Sequence, residues 1–134
     1  NLYLGFGCWE GEGILQRSPY IRAVAGNTVL FALHPPPPVS ASLAVERREY
    51  LAQTAVFIGK EENVLVVGDL NSSPFSPVFR SFTETAGIRA QTRFWTPTWL
   101  PFGLNLDHVL AKRPVRAEPL PWRHSDHRAL MVRW

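Results

Sequence analysis

Cysteine, lysine and long hydrophobic runs are scarce in this sequence. The 134 residues include one cysteine, Cys8, and only two lysines among 14 basic residues. A single cysteine excludes an internal disulfide and a zinc site built from several cysteines. No apolar run approaches the roughly 18 residues that a membrane-spanning helix needs. These absences exclude a disulfide-stabilised secreted scaffold and indicate that the chain contains no transmembrane segment.

The overall composition is that of a globular protein. Hydrophobic residues make up 46% of the chain and charged residues 19%, which argues against disorder. The length corresponds to about one domain. The chain begins at Asn1 rather than methionine and shows no signal-peptide pattern, so we expect a mature form or an excised piece. The lack of cysteine pairs favours the cytoplasm and leaves an exported or membrane-anchored parent open.

Positive charge is concentrated in the second part of the chain. Residues 1–79 carry a net charge of −2, whereas residues 80–134 carry +5. Twelve of the basic residues are arginine, whose planar guanidinium group matches phosphate oxygens in two-point contacts. This pattern indicates an anionic partner, and an ordinary solvated surface is the equally weighted alternative.

Branched and aromatic residues predict five strands. They cover Tyr20–Ala25, Thr28–Leu33, Val64–Gly68, Asp107–Ala111 and Ala129–Trp134. The dipeptide between the first two strands, Gly-Asn, is typical of a tight turn, so these strands are expected to form an antiparallel hairpin.

Two helices are predicted between these strands. Apolar residues recur at helical spacing over Ser42–Ile58, and Gly59 can end that helix. Ser76 followed by Pro77 predicts the start of a second helix, which Gly87 would end. The order of elements predicts an α/β or α+β fold, with the helices packed on a mixed β-sheet.

The first residues that can do chemistry follow the strand Val64–Gly68. In extended backbone, residues i and i+2 point the same way, so Asp69 and Asn71 are expected to face one site. A carboxylate and a carboxamide together can bind a hard cation, position a water molecule or accept its proton. The alternative is an Asx turn that closes the strand.

Two later segments combine acids with histidines. Asp107 begins an apolar strand and shares one face with Val109, where a carboxylate needs a partner such as a histidine. Asp126 and His127 precede the closing strand, and together they offer a metal-binding or orienting carboxylate beside an imidazole. An edge-strand acid beside solvent and a polar turn are the alternative interpretations.

His34 ends the strand Thr28–Leu33 and is followed by four prolines. Proline fixes φ, and a polyproline segment is stiff, so His34 is held with little freedom, which suits a catalytic imidazole. The proline run can instead be a connector or a docking ligand for an aromatic groove. Polar residues thus lie at the ends of four apolar strands, which is where α/β sheets form their sites.

Taken in order, these motifs resemble the endonuclease/exonuclease/phosphatase superfamily of deoxyribonuclease-I-like, metal-dependent phosphoesterases. The matching segments are Leu33–Pro37, Gly68–Asn71, Leu106–Leu110 and Ser125–His127. The segment Gly13–Pro19 is similar to a further strand of that family, with glutamine in place of the usual serine.

The resemblance implies a role for each matched residue. Asp69 would orient or deprotonate the attacking water, and Asn71 would help to hold the water and the phosphate. Asp126 would bind Mg²⁺ or Mn²⁺, with Asp69 as a further metal residue. His127 would contact the scissile phosphate, with its tautomer and orientation fixed by Asp107.

The resemblance also places His34 on the phosphate side, as a second imidazole. Members of the family carry, ahead of the matched region, one strand with a metal-binding asparagine and another with a metal-binding glutamate. Asn1, Glu10 and Glu12 do not lie in similar surroundings and are assigned no role. Residues 1–134 are therefore expected to be the C-terminal portion of a two-sheet α/β sandwich with flanking helices, with the N-terminal portion absent.

A strand that is apolar on both faces, such as Val64–Val67, would then lack its opposing sheet. The exposed apolar patch predicts self-association or pairing with the missing N-terminal half. The favoured function of the full-length parent is phosphodiester hydrolysis, with nucleic acid ahead of a lipid or inositol phosphate.

Two matters stay open from the sequence alone. Trp95, Trp99, Phe102 and Trp122 can stack on bases, touch a membrane or belong to the core. The alternative from another functional class is a non-catalytic fragment that acts as an interaction module. Without the glutamate ligand, the piece would bind Mg²⁺ poorly and be inactive by itself.

Overall fold

The described part of the chain forms a six-stranded sheet, a two-stranded sheet and two helices. The structure, a computed structural model, describes residues 2–5, 20–100 and 102–134. The sequence predictions outside these ranges are those that concern Asn1, Glu10, Glu12 and Gly13–Pro19.

The large sheet is mixed, as predicted. In chain order, the elements are β1 (Leu2–Gly5), β2 (Ile21–Ala25), β3 (Thr28–Ala32), α1 (Ala41–Lys60), β4 (Val64–Asp69), α2 (Pro77–Ala86), β5 (Arg89–Ala90), β6 (Asp107–Ala111), β7 (Arg116–Pro119) and β8 (Leu130–Arg133). The strand order of the large sheet is β1-β2-β3-β4-β6-β5, and β7 pairs with β8 in the small sheet. β3 and β4 are parallel, whereas the other neighbouring pairs are antiparallel.

Both helices begin with a capping serine. Ser40 Oγ at the start of α1 and Ser76 Oγ at the start of α2 each accept a hydrogen bond from the backbone N–H three residues on, at 3.2 Å. Gly87 ends α2 in the left-handed conformation, with φ 67°. Such caps satisfy backbone groups that have no partner inside the helix. The predicted start and end of α2 are confirmed, and α1 extends slightly beyond the predicted Ser42–Ile58. Within the described ranges, neither helix is long and apolar enough to cross a membrane.

The central strand β4 is buried on both faces. Val64 and Val66 face the helices, in a core that also contains Leu110. Leu65 faces the other side, where it packs with Val109 and with apolar residues of β7 and β8. Because Leu65 is only 2% exposed, the prediction that β4 lacks cover on its second face is wrong at this position. The small sheet supplies the cover, and self-association stays a prediction.

Three strands are not predicted by the sequence pattern. β5 has two residues, and neither β5 nor β7 contains a branched or aromatic residue. β1 is a short strand of four residues that pairs with β2. Such segments become strands because a neighbouring strand offers them a hydrogen-bonding edge, which local composition does not reveal.

Gly68 lets β4 pass directly against the end of β3. Its φ is 140°, and a Cβ at this position would collide with the Leu33 carbonyl oxygen. The Leu33 N–H donates to the Val67 carbonyl at 2.9 Å in the same stretch. The close approach places the residues that follow Leu33 beside the residues that follow Gly68.

We expect Gly68→Ala to lower the free energy of unfolding by about 3 kcal/mol or more, because backbone atoms would have to move. Gly87→Ala is the matched control, since Gly87 has a positive φ of 67° but nothing within 4 Å of an added Cβ. That control should lose only about 1 kcal/mol. Chemical denaturation measures both, and equal losses would show that the contact with Leu33 is not decisive.

Candidate functional site

The sheet brings the predicted site residues to one edge. β3 and β4 are parallel, so His34, which follows β3, and Asp69, which ends β4, lie at the same edge. β6 is antiparallel to β4, and its first residue, Asp107, is the register partner of Asp69. His127 lies in the segment ahead of β8 and contacts both acids. Four residues that are distant in sequence therefore converge because of the strand order.

One imidazole connects two carboxylates in this site. His127 Nδ1 lies 2.8 Å from Asp107 Oδ2 and donates to it, because a carboxylate can only accept. Nε2 of the same ring lies 3.7 Å from Asp69 Oδ2. His34 Nε2 lies 3.9 Å from that same oxygen. The prediction that a histidine partners Asp107 is confirmed, and the partner is His127.

The surroundings shift the pKa of two of these groups. Burial raises the pKa of Asp69, and the charge of Asp107 adds to the increase, against the lowering effects of the Asn71 N–H and the two histidines. Burial lowers the pKa of His127, but its hydrogen bond to Asp107 and the charges of Asp107, Asp69 and Asp126 together raise it above its usual value. Asp69 is therefore a stronger base than an ordinary aspartate, and His127 keeps its second proton to a higher pH.

Asn71 has a left-handed backbone, with φ 46°. Its N–H donates to Asp69 Oδ1 at 2.8 Å, which closes an Asx turn. Its side-chain Nδ2 donates to the Pro35 carbonyl at 2.9 Å, so Oδ1 is the end of the carboxamide turned away from Pro35. The sequence left a site and an Asx turn as alternatives, and the structure contains the turn within the residue cluster.

A buried threonine supports the backbone on both sides of the Asp107–His127 pair. Thr98 is fully buried, and its Oγ1 accepts hydrogen bonds from the N–H groups of Leu106 and Asp107 at 3.0 and 2.9 Å. The Thr98 carbonyl accepts the Arg128 N–H at 2.7 Å. Sequence reasoning missed Thr98, because a threonine between prolines in a loop carries no motif signal.

Asp126 lies at the solvent side of the site. Its side chain is exposed, and Trp99 Nε1 donates to its Oδ2 at 3.1 Å. Trp99 also forms a backbone bridge with His127. The sequence left Trp99 between base stacking, membrane contact and core, whereas its indole N–H binds a site carboxylate.

Three of the side chains can hold a metal ion. Single ligand atoms of Asp69, Asp107 and His127 lie within 4.8 Å of one another. Carboxylate oxygens suit hard cations such as Mg²⁺ and Mn²⁺, and Mg²⁺ commonly uses one or two carboxylates and keeps several waters. The donor set therefore fits a divalent metal, and Asp126 lies outside this group of three.

Exposed aromatic side chains lie in the loop that carries Trp99. Phe94, Trp95 and Phe102 are 50%, 72% and 75% exposed. The Trp99 ring lies 5.9 Å from the Phe102 ring, and the Arg93 guanidinium lies 5.8 Å from the Trp95 ring. We call Phe94, Trp95 and Phe102 the aromatic rim, and core positions are ruled out for all three.

His108 is buried on the helix side of β6. It is 1% exposed, its ring lies 4.6 Å from the Phe79 ring, and its Nε2 lies 2.7 Å from the Ser72 carbonyl oxygen. Nε2 carries the hydrogen because a carbonyl only accepts, and Nδ1 has no hydrogen-bond partner among the described residues. Burial lowers the pKa of His108 to about 4.

We expect His108 to make the fold less stable in acid. Because its pKa is about 4 in the fold against an ordinary 6.5, only the unfolded chain takes up this proton between those values. The free energy of unfolding therefore falls as the pH drops through this window, by roughly 3 kcal/mol from this group. Denaturation at pH 7 and pH 4 should show a smaller loss for His108→Gln, whose amide can still donate to Ser72. Equal losses in the two proteins would contradict this expectation.

The sequence matches one established protein family. The profile of the Endonuclease/Exonuclease/phosphatase family matches residues 8–127. No curated protein matches the chain.

Three solved structures are similar in fold. The 3′ phosphatase NExo from Neisseria, bound to a product DNA hairpin, has 15% identity and a TM-score of 0.70, covering 100% of this chain and 70% of that chain. An AP endonuclease from Archaeoglobus fulgidus has 17% identity and a TM-score of 0.71, covering 98% of this chain and 70% of that chain. Sphingomyelinase C from Streptomyces griseocarneus has 17% identity and a TM-score of 0.54, covering 86% of this chain and 53% of that chain.

At these identities, the similarity shows the fold. The fold is the deoxyribonuclease-I-like α/β type, and the predicted fold class is confirmed. The chain spans between 53% and 70% of the length of these three structures. That residues 1–134 are the C-terminal portion of a longer domain stays a prediction.

Proposed function

The chain belongs to the endonuclease/exonuclease/phosphatase family, and from this membership we propose that it carries the water-activating and phosphate-binding residues of a phosphodiesterase that uses Mg²⁺ or Mn²⁺. The favoured substrate is nucleic acid. The observation that carries the proposal is His127, which contacts Asp107 through Nδ1 at 2.8 Å and faces Asp69 through Nε2 at 3.7 Å. The net charge of +5 in residues 80–134 supports an anionic polymer.

Asp69 is the proposed base. Its Oδ1 accepts the Asn71 N–H, so Oδ2 is the oxygen that faces both histidines and the space where a phosphate would lie. Oδ2 takes a proton from the attacking water, whose oxygen bonds to phosphorus as the bond from phosphorus to the leaving oxygen breaks. The raised pKa of Asp69 favours this proton transfer.

The two imidazoles are the proposed phosphate contacts. Asp107 accepts the Nδ1–H of His127 and thereby turns Nε2 toward Asp69. With its pKa raised, His127 is more readily an imidazolium that donates Nε2–H to a phosphate oxygen, where charge develops during the reaction. The His34 side chain is 73% exposed and its Nε2 lies 3.9 Å from Asp69 Oδ2, so it can reach a bound substrate from solvent.

Asp69 and Asp126 are the metal residues that the family resemblance implies, whereas the ligand atoms that lie within 4.8 Å of one another belong to Asp69, Asp107 and His127. Asp107 Oδ2 already accepts the His127 N–H, which makes Asp107 the orienting group of the pair. A bound Mg²⁺ or Mn²⁺ would neutralise negative charge on the phosphate oxygens. Asp126 contributes by its exposed carboxylate, held by the Trp99 indole at 3.1 Å.

Plasmid cleavage tests the proposal directly. Because residues 1–134 by themselves are expected to be inactive, the full-length parent protein is incubated with supercoiled plasmid and Mg²⁺, Mn²⁺ or a chelator, beside its His127→Ala and His124→Ala variants. His124 is an exposed histidine in the same segment and serves as the matched control. We expect metal-dependent nicking that His127→Ala abolishes and His124→Ala retains. Equal cleavage by His127→Ala would refute the assigned role, and inactivity of every protein together with weak Mg²⁺ binding in calorimetry would favour the interaction module.

A lipid phosphodiester is the second candidate substrate. The aromatic rim favours it, because exposed tryptophan and phenylalanine side chains suit a membrane interface. The experiment measures release of a phosphorylated headgroup from sphingomyelin or phosphatidylinositol vesicles, with plasmid as the competing substrate. It distinguishes a lipid substrate from a nucleic-acid substrate. Faster turnover of vesicles, lost in Trp95→Ala, would favour the lipid.

A further inference from the structure

Arg47 on α1 reaches the loop that follows β4. Its Nη1 donates to the Asn71 carbonyl oxygen at 2.6 Å, across 24 residues of sequence. The helical pattern places Arg47 among the polar positions of α1, and the sequence assigns it no role. The contact joins a helix residue to the backbone of a proposed site residue.

The surroundings of Arg47 are unfavourable for a guanidinium group. Its Nε is buried and has no hydrogen-bond partner among the described residues. Burial also lowers the pKa of Arg47, which means that the charged group is partly deprived of water. A buried donor without a partner destabilises a fold, so packing of α1 alone does not favour arginine here. The hydrogen bond to the Asn71 carbonyl is a favourable contact that offsets part of the free-energy cost of burying the guanidinium group.

The Asn71 backbone needs such a contact. At a φ of 46°, Cβ approaches the following carbonyl, which costs free energy, although asparagine tolerates this conformation better than most residues other than glycine. A hydrogen bond from a charged donor is stronger than one between neutral groups, and it binds the carbonyl of the strained residue itself. In this conformation, the Asn71 N–H reaches Asp69 Oδ1 and Nδ2 reaches the Pro35 carbonyl.

We propose that Arg47 is a positioning residue: by holding the Asn71 carbonyl, it maintains the left-handed turn that directs the Asn71 carboxamide and the Asp69 carboxylate toward the phosphate. The catalytic part of this inference rests on the proposed function. Arg47 acts through Asn71 and does not itself contact the substrate. A cation that bound phosphate directly would change substrate binding, whereas a positioning residue changes the rate of the bound complex.

The first measurement does not depend on activity. Backbone ¹³C shifts and side-chain amide signals of Asn71 are recorded for the wild type, Arg47→Gln and Arg48→Gln. Arg48 is exposed on the same helix and is the matched control. We expect the Asn71 signals to leave the left-handed range in Arg47→Gln and to stay there in Arg48→Gln. Unchanged Asn71 signals in a folded Arg47→Gln protein would overturn the proposal.

The second measurement follows turnover of a phosphodiester. We expect Arg47→Gln to lower kcat by about 10- to 100-fold with little change in KM, because the loss of a charged hydrogen bond has effects of this order. Asn71→Ala keeps the carbonyl that Arg47 binds but removes the carboxamide that the turn directs, so in this background Arg47→Gln should lower kcat by a clearly smaller factor than in the wild type. A rise in KM alone, or additive losses in the double variant, would overturn the positioning role.

The proposal can still be tested if the Arg47→Gln variant does not fold or if the wild type is inactive. Should Arg47→Gln fail to fold, Arg47→Lys takes its place, with a smaller shift of the Asn71 signals and a smaller loss of kcat in the same directions. No change in either readout for a folded lysine variant would overturn the proposal. Should the wild type hydrolyse no phosphodiester, the proposed function fails, and the Asn71 signals still decide whether Arg47 holds the turn.

Discussion

Asp69→Asn is expected to reduce phosphodiester hydrolysis by about 10²–10⁴-fold, the range that a general base contributes. Asparagine keeps the size of the side chain and an oxygen that can accept the Asn71 N–H, which donates to Asp69 at 2.8 Å. It cannot take a proton from water. The substitution also removes a charged, proposed metal ligand and one of the charges that raise the pKa of His127, so saturating metal is used to limit the first of these effects. The measurement is kcat on plasmid or on bis-p-nitrophenyl phosphate in saturating Mg²⁺.

Stability provides the second readout for the same variant. The pKa of Asp69 is raised in the fold, chiefly by burial, so its stabilising contribution is present in acid and is lost as the pH rises through the folded pKa. At neutral pH the ionised side chain therefore lowers the free energy of unfolding, and Asp69→Asn should raise it. Glu118→Gln, at an acid paired with Arg116 in β7, is the control for loss of one charge and should keep its activity. Activity within about threefold of the wild type in Asp69→Asn would exclude Asp69 as the base.

Asp107→Asn is expected to cost about 10²-fold or more in kcat, since it removes the group that orients His127. The carboxylate accepts the Nδ1–H at 2.8 Å, whereas an amide that donates from its nitrogen would favour the wrong tautomer of the ring. The charge of Asp107 also helps to raise the pKa of His127. Without it, the imidazolium form should be lost at lower pH.

The dependence of kcat on pH tests whether Asp107 acts through the charge of the His127 ring. If His127 acts as an imidazolium, the alkaline limb of kcat against pH follows the His127 pKa and should move toward acid in Asp107→Asn. NMR titration of the His127 ring measures the same shift independently of activity, and His124 in the same spectrum is the internal control. An unmoved His127 titration would show that Asp107 does not set the charge of the ring.

Of the later strands, β6 is predictable from the local sequence pattern and β7 is not. The predicted range Asp107–Ala111 agrees with β6, because a short apolar run that contains branched residues is a local signal for a buried strand. Alternation along the strand predicts that Val109 and Leu110 point to opposite faces, and they pack in different apolar clusters. β7 is not predicted because Arg116–Pro119 has no strand-like composition. It is a strand because it pairs with β8. Because β7 is not predicted, the second face of β4 is expected to be uncovered. Residues of β7 and β8 instead help to bury Leu65 on that face.

The residues of the candidate site also divide into those that the sequence identified and those that it missed. His34, Asp69, Asn71, Asp107, Asp126 and His127 stand out in the sequence because each lies beside the end of an apolar strand. Thr98 and Arg47 do not stand out, since their importance lies in hydrogen bonds to backbone groups that are distant along the chain. Such contacts depend on where the chain folds back, and no spacing rule encodes them.

The sequence by itself determined both helices, five of the eight described strands, the family and the chemical types at the site. Apolar alternation, the capping Ser76 and the helix-ending Gly87 are local features, so their consequences can be deduced without a fold. The tertiary structure gave the 2.8 Å distance between Asp107 and His127, and it alone showed that Trp99 donates to Asp126 and that Arg47 donates to the Asn71 carbonyl. The physical reason is that hydrogen bonds and pKa shifts depend on distances of a few ångströms, and the strand order β3-β4-β6 sets those distances.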